Sequence, residues 1–144
     1  MPQSPRPTPD EELLRHGLRY RMDCPAAIEA EMEVLGSDFR ANGYTTRAQA
    51  DTLGELLSLS SGDLLVDLGS GCGWPGLYLA AKHDCRVLSV DPVVEGSRVA
   101  ARRAVDDGLA LPTVDRAWSV VGLGERLPIR SATVDAVVHT DVLC

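Results

Sequence analysis

Aromatic side chains are scarce in this chain, with two Trp, three Tyr and one Phe among 144 residues, so stacking platforms for bases are few. Positive charge is also in deficit. The 14 Lys and Arg face 21 Asp and Glu, for a formal charge of −7 and a pI near 4.8, which argues against non-specific nucleic-acid binding through neutralised phosphates. No apolar run approaches the roughly 18 residues of a membrane span. The proline-rich start has no basic-then-apolar signal, so the cytoplasm is the expected location and no membrane partner is expected. Cys24, Cys72, Cys85 and Cys144 show neither C-x-x-C nor another metal spacing. They read as reduced and mostly packed, with no metal site.

What the chain does carry is a glycine motif. Residues Val66 to Gly76 read Val-Asp-Leu-Gly-Ser-Gly-Cys-Gly-Trp-Pro-Gly. Leu64, Leu65, Val66 and Leu68 predict a short buried strand, and the apolar run from Leu77 to Ala81 predicts one packed face of a helix. Between them, Gly69, Gly71 and Gly73 permit positive φ and close approach of a ligand to bare backbone, while Pro75 suits a first helical turn. The free N–H groups of such a loop face the ligand. Two cofactor classes use this arrangement. Gly71, Gly73 and Gly76 satisfy G-x-G-x-x-G, and Asp91 lies 20 residues beyond Gly71, which fits a dinucleotide with its ribose-binding acid. Asp67 and Gly69 extend the pattern to D-x-G-x-G-x-G, and a carboxylate aimed at the loop repels a pyrophosphate but attracts an ammonium or sulfonium compound.

With these residues, the sequence resembles the class I S-adenosylmethionine-dependent methyltransferases, in which Asp67, Gly69, Gly71 and Gly73 would form the first motif. Two further segments carry the resemblance. Arg86 to Asp91 reads as a second buried strand ending in an acid, which in that family accepts from the two ribose hydroxyls. Gly124-Glu125-Arg126-Leu127-Pro128-Ile129 followed by Ser131 to Val138 looks like the run into the family's fourth strand. The resemblance covers roughly Thr46 to Cys144. It departs from the family where an Asp usually precedes the Glu-x-Leu-Pro segment to accept from the adenine amino group. Leu123 and Gly124 stand there instead, leaving Glu125 or a backbone group to supply the acceptor.

The implied fold is α/β: a doubly wound, mostly parallel Rossmann-like sheet with N-terminal helices, supplying strands 3-2-1-4 of the methyltransferase order. Strands are expected near 64–68, 86–90, 117–121 and 134–139, and helices over Ala26 to Leu35, about Arg47 to Leu57 and Glu95 to Val105. Pro25 and Gly36 bound the first of these helices and Thr45 or Thr46 caps the second. Ile28, Met32 and Leu35 share one predicted face. Because Pro2, Pro5, Pro7 and Pro9 disfavour regular structure, residues 1–22 are expected to be disordered or extended. Residues 23–60 are expected to form a helical cap and 61–144 the cofactor-binding core. Four strands are fewer than the family's seven, so a fragment of a longer reading frame is expected, with self-association through the bare fourth strand.

Ligands of such sheets sit at the carboxyl ends of the strands. The expected cofactor-binding residues are Asp67, Gly69, Ser70, Gly71, Gly73, Trp74, Asp91, Pro92, Glu125 and His139. Asp67 has the alternative of capping a helix or bracing the loop, and Asp91 of capping the helix that follows. Cys72 lacks a neighbouring His and reads as packed. His139 and Tyr44 are the candidates for a catalytic role; Tyr44 has the alternative of a turn anchor beside Asn42 and Gly43. The resemblance implies in-line displacement of a sulfonium methyl group, with alignment and water exclusion as the protein's main contribution. The expected acceptor is a small molecule rather than nucleic acid. A non-catalytic cofactor-binding relic and a nicotinamide-dependent oxidoreductase are the rival readings.

Overall fold

The computed structural model describes residues 7–21, 24–41 and 43–142. Three helices come first: α1 (Pro9–Arg21), α2 (Pro25–Leu35) and α3 (Arg47–Leu56). The remainder alternates as β1 (Leu64–Leu68), α4 (Gly76–His83), β2 (Arg86–Asp91) and α5 (Val94–Asp106). A small antiparallel hairpin of β3 (Ala110–Leu111) and β4 (Val114–Asp115) then leads into β5 (Ala117–Val121) and β6 (Ala136–Val138). The main sheet has the order β5-β2-β1-β6 and is parallel throughout. That is the 3-2-1-4 order the resemblance implies.

The helix over Pro9–Arg21 corrects the expectation of a disordered or extended segment at 1–22. Its cause lies at its start. The Thr8 N–H donates to Glu11 Oε2 at 2.7 Å and the Glu11 N–H donates to Thr8 Oγ1 at 3.3 Å, a reciprocal capping box. Pro9 occupies the first helical position, where a missing N–H costs nothing, so this proline starts a helix rather than breaking one. Residues 1–6 and 22, which the same expectation included, lie outside the described residues. α2 begins at Pro25 and ends at Gly36, whose φ of 75° is left-handed and whose N–H donates to Met32 O. Of the face proposed for it, Leu35 is buried, Ile28 half-buried and Met32 exposed. α3 is capped by Thr46 with Gln49 reciprocating.

The strand register sorts the core. Leu65 lies beside Val87, which lies beside Ala117, and β6 follows on the other side of β1. Leu65, Val87, Ala117 and Val138 therefore share a face and bury against Leu77, Leu79 and Ala80 of α4 and Ala104 of α5. The alternate residues Val66, Val90, Trp118 and Val137 point to the opposite face. There Val66 and Val90 are buried, while Trp118 and Val137 are partly exposed. A side chain at Gly122 would press on Val90 and Pro128, and one at Gly124 would touch Leu68, so the connection between β5 and β6 covers the middle of this second face. Among the described residues no helix is long and apolar enough to cross a membrane, and no His, Cys, Asp and Glu cluster could hold a metal ion.

Candidate functional site: the glycine loop and its helical cap

The glycine loop leaves β1 with Gly69, Gly71 and Gly73 at φ of 72°, 51° and 97°, the left-handed region that side chains disfavour. Its position is set by the second strand: Gly69 N–H and Ser70 N–H both donate to Val90 O. Asp91 completes the tie, since its Oδ2 accepts from Gly71 N–H at 2.8 Å and its Oδ1 from Val93 N–H at 2.8 Å. Asp67 braces the other side of the loop, its Oδ2 accepting from Gly76 N–H at 2.9 Å at the start of α4. Gly73 has no room for a side chain beneath Leu77, and Gly96 of α5 lies against the Gly71 carbonyl. Close packing of both helices on the loop thus depends on these glycines.

Over the loop lies a cavity of about 290 Å³. Gly69, Ser70, Gly71, Cys72 and Trp74 form its floor, and His16, Arg19 and Tyr20 of α1 its far wall. Arg40, Ala41, Gly43 and Tyr44 and, from the end of β6, Thr140 and Asp141 close the rest. Trp74 is fixed between Phe39 and Tyr78, with ring centroids 4.5 and 5.4 Å away, and its Nε1–H donates to Thr45 O at 2.9 Å. Asp141 Oδ2 accepts from Thr45 N–H at 3.2 Å and Oγ1–H at 2.8 Å, which clasps the cap to the sheet. A second, more open cavity of about 530 Å³ runs along α3, lined by Tyr44, Thr45, Ala48, Gln49, Thr52, Leu53 and Asp141. Tyr44 and Asp141 border both.

The electrostatics follow from burial. Asp67 is only 1 % exposed. Desolvation pushes its carboxyl up to about 7; the Gly76 N–H opposes that rise and the nearby Asp91 adds to it. Asp91, 4 % exposed, is also raised by burial, with the Val93 and Gly71 N–H groups and His16 pulling the other way. Burial pushes the Cys72 thiol up to about 12, so it is no nucleophile at neutral pH. Among the described residues, Ser70 Oγ of the loop itself is a buried side-chain atom with no protein partner.

The structure thus brings together Gly69, Ser70, Gly71 and Trp74 at one cavity, with Asp67, Gly73 and Asp91 directly beneath the loop. Pro92 is half-buried at the β2 end. Glu125 is exposed in the turn that an antiparallel bridge between Leu123 and Arg126 closes, and it does not line the cavity. His139 is exposed and also stands off the lining, whereas the next two residues, Thr140 and Asp141, belong to it. Tyr44 is 89 % exposed, at the rim rather than closed over the loop. Sequence reasoning missed His16, Arg19, Tyr20 and Arg40, because the helix carrying the first three was read as disordered. The Thr8-x-x-Glu11 capping box was the available signal.

A parallel sheet in this order, a left-handed glycine loop after β1 and a buried acid at the end of β2 define a cofactor-binding α/β domain of the methyltransferase type. The chain belongs to the methyltransferase-domain family, whose model matches residues 66–144. It is 36 % identical over 87 residues to the ribosomal RNA small subunit methyltransferase G of Mycobacterium ulcerans, covering 60 % of this chain and 50 % of that protein. A structure of geranyl diphosphate C-methyltransferase from Streptomyces coelicolor, in complex with Mg2+, geranyl diphosphate and S-adenosyl-L-homocysteine, is similar at 26 % identity and TM-score 0.58. That match covers 64 % of this chain and 34 % of the other. An RNA methyltransferase from Salinibacter ruber, solved with S-adenosyl-L-homocysteine, shares the fold at 24 % identity and TM-score 0.59, over 67 % and 59 % of the two chains. The chain spans about half the length, or less, of the curated relatives it matches.

Proposed function

We propose that this chain holds S-adenosylmethionine over its glycine loop for methyl transfer to an acceptor that approaches along α3. The observation that carries the reading is the pairing of Asp67 and Asp91 beneath a loop whose three glycines are all left-handed. Asp67 at the loop favours a cofactor with sulfonium and ammonium charges over a pyrophosphate. The chain's residues fit such a cofactor, because Ser70 Oγ is a buried hydroxyl without a protein partner at the cavity and bare backbone forms the floor. Bound there, the cofactor supplies a methyl group already activated by its positive sulfur. In this reading Asp91, at the end of β2, accepts from the ribose hydroxyls, exchanging its bond from Gly71 N–H for theirs. Pro92 borders that position. The glycine loop and Trp74 hold the sulfur end, and α1 with Arg40, Ala41 and Gly43 excludes water. Tyr44 and Asp141 meet the acceptor in this reading, supported by their bordering both cavities, and Glu125 and His139, which stand off the lining, make no direct contact in it.

The acceptor reading is a small molecule. Its support is the α3 cavity, whose described lining offers hydroxyls, an amide and the Asp141 carboxylate but no cation to meet a phosphodiester backbone, on a chain of net charge −7. A second reading, an RNA acceptor, is favoured by the name of the mycobacterial relatives. Incubation with methyl-labelled S-adenosylmethionine separates them, using either a protein-free and nucleic-acid-free pool of metabolites or purified small-subunit ribosomal RNA. Label in the metabolite pool alone supports the first reading, and label in the RNA overturns it. Parallel calorimetric titration with S-adenosylhomocysteine and NADH tests the cofactor. Binding of NADH alone moves the chain to the oxidoreductases.

A further inference from the structure

The cavity along α3 has a wall that accepts hydrogen bonds. Thr45 Oγ1–H donates to Asp141 Oδ2 at 2.8 Å and Thr52 Oγ1–H to Ala48 O at 3.0 Å. Both lining threonines have thus turned their protons into the protein and keep oxygen lone pairs for a ligand. The Asp141 carboxylate is a further acceptor and the one charged group in the described lining. The cations on and beside α3 are held elsewhere and do not line the cavity: Arg47 Nε–H donates to Tyr78 Oη at 3.3 Å and its Nη1–H to Leu35 O at 3.4 Å, while Lys82 Nζ pairs with Asp51 Oδ1 at 2.6 Å.

Three features fix the Asp141 carboxylate in place. Its backbone is left-handed, with φ of 57°, a conformation that persists where surrounding contacts enforce it. A Cβ at Gly43 would collide with Asp141 Oδ2, so the acid sits in the notch that a missing side chain leaves. Thr45 N–H and Oγ1–H both donate to the same oxygen. Between Gly43 and Thr45, Tyr44 exposes its ring, and Tyr44 and Asp141 border the glycine-loop cavity as well. An aromatic face attracts a cation, and a fixed carboxylate binds one through charge-assisted hydrogen bonds.

We infer that the α3 cavity is a receptor for an acceptor molecule bearing a protonated amine, with Asp141 as its counter-ion, the Tyr44 ring as its platform and the Thr45 and Thr52 hydroxyl oxygens as further hydrogen-bond acceptors. This rests on the methyl-transfer reading above and deepens it by giving the acceptor a chemical class. A primary ammonium has three N–H donors and no acceptor, which matches this wall. A carboxylate or phosphate would instead meet a negative charge with no cation to balance it. Held by Asp141, the amine anchors the acceptor at the junction of the two cavities.

The test divides a protein-free and nucleic-acid-free pool of metabolites by ion exchange at neutral pH into cationic, neutral and anionic fractions, and incubates each with the full chain and methyl-labelled S-adenosylmethionine. The wild type should label the cationic fraction above the other two by about tenfold or more. Asp141→Asn should abolish that preference, and Thr52→Val, at an exposed position of α3, should reduce it about threefold. Lost structure lowers labelling of every fraction alike, so the ratio between fractions reads recognition. Thermal unfolding of each variant reports folding; should Asp141→Asn unclasp the cap, Thr52→Val carries the test. A wild type that favours the neutral or anionic fraction, or a cationic preference that survives in the folded variants, overturns the receptor. Label confined to small-subunit ribosomal RNA overturns it together with the small-molecule reading. Calorimetric binding of S-adenosylhomocysteine with no fraction labelled overturns the receptor but keeps the cofactor reading, and absence of that binding overturns both.

Discussion

Asp67 offers the sharpest quantitative test of the site. Burial lifts its carboxyl from the ordinary 3.8 to about 7. Between those values the folded chain holds a proton that the unfolded chain has lost. For this group, stability is therefore fully present below pH 4, falls as the pH rises through that window, and levels off above pH 7. The full difference corresponds to roughly 4 kcal/mol in alkaline solution, of which more than half develops between pH 5 and pH 8.5. Asp67→Asn is neutral at every pH, and its amide oxygen can still accept from Gly76 N–H. Replacing the carboxylate costs a constant amount for the amide's unmatched donors, which cancels when variant and wild type are compared across pH. Urea unfolding followed by tryptophan fluorescence at pH 5, 6, 7 and 8.5 should show the variant gaining on the wild type by roughly 2–3 kcal/mol over that range. Asp91 and Glu31, also raised by burial, slope the same way in both proteins and drop out of the comparison. A difference that stays flat within about 0.5 kcal/mol would refute a desolvated Asp67 beneath the loop.

The same group predicts linkage with the ligand. A cation bound over the loop lowers the Asp67 pKa, so S-adenosylmethionine binding at pH 7 should release up to roughly half a proton from it; calorimetry in buffers of different ionisation enthalpy reads this, and release that persists undiminished in Asp67→Asn would contradict it. Gly96→Ala places a methyl 2.8 Å from the Gly71 carbonyl oxygen, a backbone atom that cannot rotate away. It should cost about 1–3 kcal/mol and weaken cofactor binding, whereas unchanged melting and affinity would show that α5 does not rest on the loop. Thr46→Ala removes the α3 cap and should lower stability by about 1 kcal/mol in chemical denaturation, with cofactor affinity retained.

Much of this was legible because local chemistry forces it. Alternating glycines after an apolar run made left-handed backbone accessible at Gly69, Gly71 and Gly73, and all three adopt it. Likewise the apolar runs at 64–68 and 86–91 are mostly buried parallel strands because successive residues must face both sides of a covered sheet, while 117–121, at the sheet edge, buries Ala117 and leaves Trp118 and Val121 exposed. Pro25, Gly36 and Thr46 marked helix ends through φ preference and capping. Even α1 was written locally, in Thr8, Pro9 and Glu11, although the prolines before it drew the reading toward disorder. The partners of the two acids were not legible. Asp67 and Asp91 could be placed at strand ends, but their bonds to Gly76 and Gly71 exist because β1 and β2 lie side by side and α4 starts between them.

Nor could spacing say that Thr140 and Asp141, rather than His139, meet the cavity. That follows from the point at which β6 ends and from the clasp to Thr45. The sequence by itself determined the elements, their alternation, and the glycine loop with an acid on either side, since all of these arise from backbone freedom and side-chain periodicity within a few residues. Only the tertiary structure decided that α1 returns over the loop, so that His16, Arg19 and Arg40 line one cavity with Ser70. These residues are joined by packing across tens of positions, and no local preference encodes a separation of that length.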